Sequence, residues 1–396
     1  MGPMAQDPSP QPEAEADPFG LRSLDVERLR RKRGTKWGRT PNGYAAWIAD
    51  MDFDVAPPIR EALQAVIDGD EFGYPDWGGV EVLSPAGKLF PERMADRYGW
   101  EPRPDRVHDL TNLIQGVRAV VHHMSEPGEG VVLHMPAYYP FIDTIASMGR
   151  RLVAVDRQGD AFDYDRLEQE LAASAARVWI LCHPHNPLGH VFEVAELERV
   201  AEIAARHDII VISDEVHADL TFQPVRHVPF CTLGPDVEAR TVTLTSASKA
   251  FNLAGMRWAG LHAGSDKVHA ALESLPHHYL GAPNVMGVVA TVAAWTEGDP
   301  WLRAVLEVLD ENRRLLGELL DRHLPGSRYR PPDATYLAWV NLGDAGLGDD
   351  PAAVIRERGV ELSPGPQFGP QGKGHVRLNF STSPTILEQM VKAMAG

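Results

Sequence analysis

Short strand-like runs, several of them almost wholly apolar, recur through the middle of the chain and leave few folds open to it. They fall at 106–110, 130–134, 151–155, 178–182, 209–213, 241–245 and 258–263, with amphipathic stretches of helical period between them, as at 194–207. A strand that is apolar throughout is buried on both faces, and helices packed front and back of a parallel sheet bury it that way. The expected fold is α/β, built on a mostly parallel sheet of these seven strands. Ligands of such sheets gather beyond the carboxyl ends of the strands. Asn186, Asp214 and Lys249 all follow such ends.

At 396 residues the chain is long enough for a large domain and a smaller companion. Residues 1–18, rich in Pro, Ala, Asp and Glu and without an apolar period, predict a disordered lead-in. The segment 19–50 is expected to join a small domain, 51–289 to form the large one, and 290–396 to supply the small α+β domain. Within the last, Asp299 and Pro300 predict the cap and first residue of a long helix through Trp301, Val305, Leu309, Leu315 and Leu319. Strands are expected at 335–341 and 375–380, a helix over 351–361, and an ordered loop over 364–374. Near the start, Pro57 and Pro58 open a predicted helix with Ile59, Leu63, Val66 and Ile67 on one stripe.

Composition removes several classes of function. A net charge of −17, from 38 Lys+Arg against 55 Asp+Glu, argues against nucleic acid or an anionic membrane as the main partner. No run is long enough to span a bilayer and no charged-then-apolar leader is present, so the cytoplasm is the expected location. Arg28-Leu-Arg-Arg-Lys-Arg33 reads as a solvated helix face. Cys182 and Cys231 give neither a disulfide framework nor a thiolate zinc site and are expected in the core. The 16 histidines show no metal spacing, His122 and His123 reading as a helix-surface pair, and Asp50, Asp52 and Asp54 lack further ligands nearby; no metal is expected.

The chemistry concentrates in Thr241-Val-Thr-Leu-Thr-Ser-Ala-Ser-Lys-Ala-Phe-Asn-Leu-Ala-Gly-Met-Arg257. A strand ends in hydroxyls, presents Lys249 and runs on to Arg257. Pyridoxal phosphate demands an amine, a carboxylate beside its ring nitrogen, donors around its phosphate and an aromatic face over its ring. Lys249 supplies the amine, Asp214 the carboxylate, and Ser246, Ser248 and Arg257 phosphate-binding chemistry. The stretch Thr111-Asn-Leu-Ile-Gln-Gly-Val117, ahead of a predicted helix over 118–123, offers backbone amides for the same phosphate.

Beyond these residues the chain resembles the fold-type I pyridoxal-phosphate enzymes of the class I/II aminotransferase superfamily, from about residue 20 to the end. It is most similar to the cystathionine β-lyase and cysteine-S-conjugate β-lyase branch. The likeness rests on Ala49-Asp-Met-Asp-Phe53, Phe72-Gly-Tyr-Pro75, Pro136-Ala-Tyr-Tyr-Pro-Phe141, Pro184-His-Asn-Pro-Leu-Gly189, Asp214-Glu-Val-His217, Ser246-Ala-Ser-Lys-Ala-Phe-Asn252 and Val376-Arg-Leu-Asn-Phe380. The resemblance implies that Lys249 joins the cofactor covalently, Asp214 faces the pyridine nitrogen and Asn186 the ring hydroxyl. Tyr138 would stack on the ring, and Ser246, Arg257 and the amides of Gly116 and Val117 would hold the phosphate. Tyr74 would reach the phosphate of a neighbouring subunit, implying a homodimer with shared sites. Arg377 would grip the substrate carboxylate, and Asp50 is placed beside the substrate. His217 stands where many aminotransferases of the superfamily have tyrosine, and the lyase branch commonly has histidine.

The implied reaction is cleavage of the Cβ–S bond of an S-substituted cysteine to a thiol, pyruvate and ammonia, with Tyr138 placed to help protonate the leaving sulfur. Amino transfer to a keto acid, or decarboxylating deamination in a specialised pathway, would use nearly the same residues, and a regulatory scaffold is a further alternative. The chain departs from the pattern at Thr111-Asn-Leu-Ile-Gln-Gly, which lacks an early small residue. It departs again at Cys182-His183, where Cys-Asn is usual, and at Phe380-Ser-Thr-Ser.

Overall fold

A computed structural model describes residues 17–78, 83–276 and 279–396. Seven strands form the large sheet: β1 (Val107–Leu110), β2 (Gly130–His134), β3 (Arg151–Val155), β4 (Val178–Cys182), β5 (Ile210–Asp214), β6 (Thr241–Thr245) and β7 (Ala259–Ala263). Their order is β1-β7-β6-β5-β4-β2-β3. The pairs β3–β2, β2–β4, β4–β5 and β5–β6 are parallel, and β7 runs antiparallel to both β6 and β1. Every residue of β2, β4, β6 and β7 is buried, the polar His134 and His262 and the threonines of β6 included. Three of the seven expected ranges shift by one residue. Arg106 closes a 3₁₀ turn ahead of β1, β5 runs on to Asp214, and Trp258 stays outside β7.

Helices cover the sheet as the alternation demands. The first, α1 (Pro57–Asp68), buries Ile59 and Val66, but Ile67 lies outside the stripe and is 47% exposed. The second, α2 (Pro85–Tyr98), is followed by α3 (Leu113–Met124), which starts five residues before the predicted 118. The reason is Asn112, whose side chain accepts the amide of Gln115 at 3.0 Å and caps the helix there. Gly116 packs α3 onto the sheet, because a Cβ there would lie 2.7 Å from Leu110 and 2.8 Å from Leu244. His122 and His123 sit towards the end of α3, the first exposed and the second half-buried. Cys182 and Cys231 are both buried and free.

Two later helices, α4 (Asp266–Glu273) and α5 (Val285–Glu297), lead into the long α6 (Asp299–His323). Asp299 is not the cap of α6. Gly298, which closes α5, also opens α6 with helical dihedrals, so Asp299 falls inside the helix and turns its carboxylate to Arg93 at 3.0 Å. Trp301, Val305, Leu309 and Leu319 are buried as expected, Leu315 only partly. Asn312, wholly buried on the same face, donates to the carbonyls of Phe380 and Thr382 and fixes the helix to the second sheet.

That sheet has four antiparallel strands in the order β8 (Arg328–Tyr329), β9 (Leu337–Asn341), β11 (His375–Asn379) and β10 (Ser363–Pro364). The helix expected over 351–361 ends at Glu357. Gly359, at φ +83°, turns the chain into Val360–Glu361, which pairs in parallel with Tyr44–Ala45. The loop after β10 is ordered by two 3₁₀ turns, Gly365–Phe368 and Pro370–Gly372.

The predicted lead-in lies outside the described residues up to position 16. At its end, the Asp17 carboxylate accepts the amides of Leu21 at 2.8 Å and Arg22 at 2.9 Å, so 17–18 belong to the folded chain. Residue 79, the end of the turn-rich stretch Gly73-Tyr-Pro-Asp-Trp-Gly-Gly79, also lies outside them. The basic segment begins in a short helix, Val26–Arg30, where Leu29 is buried and Arg28 pairs with Asp54 at 2.6 Å. Among the described residues, no helix is long and apolar enough to cross a membrane.

Candidate functional site

Beyond the carboxyl end of β6 the chain turns through Ser246–Ser248 and presents Lys249, half-buried, with its Nζ donating to the carbonyl of Ala49 at 2.8 Å. Tyr336, fully buried, donates its hydroxyl to the same carbonyl at 2.8 Å. Asn252 binds the two segments together. Its Oδ1 accepts the Met51 amide at 2.9 Å, and its Nδ2 donates to the carbonyls of Met51 at 3.1 Å and Phe53 at 3.2 Å. Asn252 and Arg257 are both non-glycine residues at positive φ, +58° and +59°. Two such residues within six positions mark a loop held in shape by its surroundings.

The three acids near Ala49 have separate surroundings. Asp52 is buried against Lys36 at 2.8 Å and the Trp37 indole at 2.6 Å, and Asp54 pairs with Arg28 at 2.6 Å. Asp50 keeps a half-buried carboxylate with no ion pair or hydrogen bond among the described residues. Burial lowers the Lys249 ammonium from its usual range. Asp50 opposes that effect, Arg377 adds to it, and Asp214 and Arg257 act more weakly in opposite senses.

Asp214 ends β5, one strand over, where it is buried and its carboxylate accepts the Val216 amide at 3.2 Å. Burial raises its pKa to about 7; the Val216 amide lowers it, Glu215 raises it and Lys249 lowers it. Glu215 turns the other way, into a buried network with Ser213 at 2.8 Å, His227 at 2.8 Å and the Phe230 amide at 3.0 Å. His217 is buried with Nδ1 unpartnered, and burial, then Lys249 and Arg377, push it down to about 3, so its ring is neutral.

Arg377 comes from the middle of β11 and is 3% exposed. Its partners are Asn186 Oδ1 at 3.1 Å, the Trp47 carbonyl at 2.9 Å and Ser363 Oγ at 3.2 Å, with the Phe368 ring 4.8 Å below. None is an anion, and Nε has no hydrogen-bond partner among the described residues. Burial lowers its pKa to about 10. A buried guanidinium surrounded by neutral groups can receive an incoming carboxylate. Tyr138, half-buried at the start of the helix Tyr139–Ser147, packs edge-on against Phe141 at 5.5 Å; burial, then Tyr139, push its hydroxyl up to about 12.

The phosphate-binding expectation falls on the start of α3, where Gly116 and Val117 are the fourth and fifth residues. Asn112 occupies the Gln115 amide, and the amides of Leu113 and Ile114 join this helix start as donors open to an anion. The earlier helix start adds Leu113 and Ile114 to the expected donors. Ser246 is buried, donating to the Trp258 carbonyl at 2.6 Å and accepting the Ser248 amide at 3.1 Å, while Ser248 is half-buried. Arg257 is exposed, with no ion pair or hydrogen bond among the described residues. Tyr74 is 106% exposed and far from satisfying its ring within this chain. Four groups entered without a sequence signal: Tyr336, Ser363, Phe368 and the carbonyl of Trp47.

This donor set suits a phosphorylated pyridine. Asp214 is a buried acid with no ion pair among the described residues, Arg257 and a helix start offer positive potential to a phosphate, and burial disfavours the charge on Lys249. A mostly parallel seven-stranded sheet carrying these groups at its carboxyl edge is the architecture of fold-type I pyridoxal-phosphate enzymes. The model of the family "Aminotransferase class I and II" matches residues 49–394. The chain belongs to that family, in its cystathionine β-lyase branch. A cystathionine β-lyase of Corynebacterium glutamicum is 31% identical, over 95% of this chain and all of that one (100%). The cystathionine β-lyase PatB of Bacillus subtilis is 30% identical, over 92% of this chain and 97% of its own. The solved PLP-bound C–S lyase of Staphylococcus hominis superposes with a TM-score of 0.86 at 25% identity, covering 95% of this chain and 97% of that one.

Proposed function

We propose that the protein is a pyridoxal-phosphate-dependent β-lyase that cleaves S-substituted cysteines to a thiol, pyruvate and ammonia. The observation that carries this reading is Arg377, buried among neutral partners and acting on Lys249. An enclosed cation without an anion calls for an amino-acid carboxylate. The sulfur is supported by the cystathionine β-lyases that align with this chain almost end to end.

When bound, the cofactor supplies an electron sink for the pair left on the substrate α-carbon. Lys249 would hold it covalently until the substrate amine takes its place, with Asp214 keeping the ring nitrogen protonated and Asn186 meeting the ring hydroxyl. The amides at the start of α3, those of Gly116 and Val117 with Leu113 and Ile114, would hold the phosphate together with Ser246, Ser248 and Arg257, and Tyr138 would cover the ring. Arg377 orients the substrate through its carboxylate. The freed Lys249 amine, whose charged form burial and the nearby guanidinium disfavour, takes the α-proton. Loss of the β-thiolate and hydrolysis then give the products. We assign 51–289 to a large domain and 19–50 with 290–396 to a small one, and propose a cytoplasmic homodimer in which Tyr74 reaches the partner's phosphate.

Amino transfer is the second reading, supported by the family's own description. Incubating the cofactor-loaded protein with cystathionine and S-alkyl cysteines, and identifying products by mass spectrometry, separates the two. Thiol and pyruvate formed without a keto acid are the expected result. Amino transfer that depends on an added keto acid, or release of carbon dioxide, would overturn it. Lys249→Ala should abolish both the cofactor's lysine-bound absorbance and turnover.

A further inference from the structure

Away from this site, the structure brings together three metal-ligating side chains that are more than 160 positions apart at their extremes. His108 projects from β1, and His269 and Glu273 lie one turn apart on α4. Each offers a ligand atom, and these atoms all lie within 4.8 Å of one another. His108 Nδ1 is 3.9 Å from Glu273 Oε1, and the two imidazole rings stand 5.8 Å apart between centroids, inclined by 53°. One ring nitrogen of each histidine, Nε2 of His108 and Nδ1 of His269, is buried with no hydrogen-bond partner. Each ring thus keeps a nitrogen without a partner among the described residues, as several other histidines of this chain do, and a neutral imidazole offers one lone pair to an ion.

We infer that His108, His269 and Glu273 form a binding site for one divalent transition-metal ion, which ties the edge strand β1 to α4. The ligand types choose the metal. Two nitrogens and one carboxylate, without a thiolate, suit Zn²⁺, Co²⁺ or Ni²⁺, whereas Mg²⁺ and Ca²⁺ favour all-oxygen sites. Metal–ligand bonds of about 2.0–2.2 Å require ligand atoms roughly 3.4 Å apart in a tetrahedral site. The Glu273 side chain, 62% exposed, is free to swing the remaining distance, and a water completes the shell. Arg106, two positions before His108, has its charge held by Asp266 at 2.6 Å.

The location gives the ion a mechanical role. β1 is the outer strand of the sheet, paired on one side only with β7, and lies two strands from β6 and Lys249. It runs directly into Thr111 and Asn112, the start of α3. An ion joining β1 to α4 would therefore brace the strand that positions the open amides of α3, while touching none of the groups assigned to the reaction.

The untagged, cofactor-loaded protein, stripped with a chelator, should bind one equivalent of ZnCl₂ in calorimetric titration. CoCl₂ should give the visible bands of a tetrahedral ion, and saturating Zn²⁺ should raise the melting temperature. Glu273→Gln and His269→Gln should each weaken binding at least tenfold and remove the thermal shift. Glu273 is exposed, so its replacement is not expected to impair folding. The double variant His122→Gln/His123→Gln, which alters the adjacent histidines of α3, should bind as the unaltered protein does. Absence of saturable binding in the unaltered protein, unchanged binding in the Glu273 and His269 variants, or loss confined to the α3 variant would overturn the inference.

Discussion

Arg377 donates a hydrogen bond from Nη1 to Oδ1 of Asn186 at 3.1 Å, joining the second sheet to the loop that follows β4 of the first. The residue proposed to meet the cofactor's ring hydroxyl therefore also aims the one proposed to hold the substrate. Removing a buried charged partner costs about 2–5 kcal/mol in a complex, or roughly thirty- to several-thousand-fold. Arg377→Ala should lower kcat/KM for S-alkyl cysteines by that factor. Arg377→Lys should recover only part, because an ammonium lacks the planar fork that matches a carboxylate. A variant with unaltered KM and kcat would remove Arg377 from the substrate site.

Asp214 gives the cofactor-free protein a pH dependence of definite sign. Its pKa is raised from 3.8 to about 7, chiefly by burial. Between those values the unfolded chain has lost a proton that the folded chain retains. This group therefore reduces stability as pH rises from about 4 to about 7, by about 1.4 kcal/mol per pH unit. Asp214→Asn lacks the effect, while the buried histidines act alike in both proteins and cancel in the difference. Denaturant unfolding of the two cofactor-free proteins across this range should show the unaltered one losing ground to the variant as pH rises. A difference independent of pH would refute the assignment.

Much of this arrangement was legible in the sequence because its signals are local. Strands buried on both faces leave apolar runs, and four of the seven expected ranges coincide with β2, β3, β4 and β6. The errors came where neighbouring chain decides the outcome. Gly298 serves both α5 and α6, so Asp299 could not cap, and Asn112 starts α3 early, which brings the amides of Leu113 and Ile114 to the helix start. Carbonyls such as those of Ala49 and Trp47 carry no residue signature. The His108, His269 and Glu273 cluster depends on a strand and a helix meeting across the fold, which spacing along the chain does not reveal.

Tyr138 should serve through its ring. Burial pushes the hydroxyl up to about 12, too high for efficient proton donation near neutrality. Tyr138→Phe should retain kcat within about threefold, whereas Tyr138→Ala should weaken cofactor binding by roughly tenfold, the value of a lost aromatic stack. A large fall in kcat for the phenylalanine variant, with normal cofactor affinity, would return the hydroxyl to the chemistry.

The stretch from Ile67 to Tyr74 presents Ile67, Phe72 and Tyr74 to solvent at 47%, 63% and 106% exposure. Apolar and aromatic groups so close together call for a covering surface, and the proposed dimer supplies it. Sedimentation should show a dimer that Ile67→Asp/Phe72→Asp dissociates. Tyr74→Phe should leave the dimer intact but raise the cofactor dissociation constant roughly ten- to hundredfold, the range for a lost hydrogen bond to a charged group of about 1.5–3 kcal/mol. A monomer retaining full activity would end the shared-site proposal.

Asp50 is the acid whose placement implies a task. Its backbone carbonyl is held by Lys36 at 2.9 Å and Asn379 at 2.7 Å, which fixes the residue while leaving its carboxylate unpaired among the described residues. After burial, Asp50 is the strongest influence on Lys249, and it favours the charged amine. Neutralising it should therefore make the lysine nitrogen lose its proton at lower pH. In Asp50→Asn the absorbance titration of the lysine-bound cofactor should move down by about one unit, and the acid limb of kcat/KM should move the same way. The neighbouring Asp52→Asn provides the contrast, since Asp52 is tied to Lys36 and Trp37, and its loss should lower stability without shifting that titration. An upward shift in Asp50→Asn, or equal shifts in both variants, would show that the field at Lys249 comes from elsewhere.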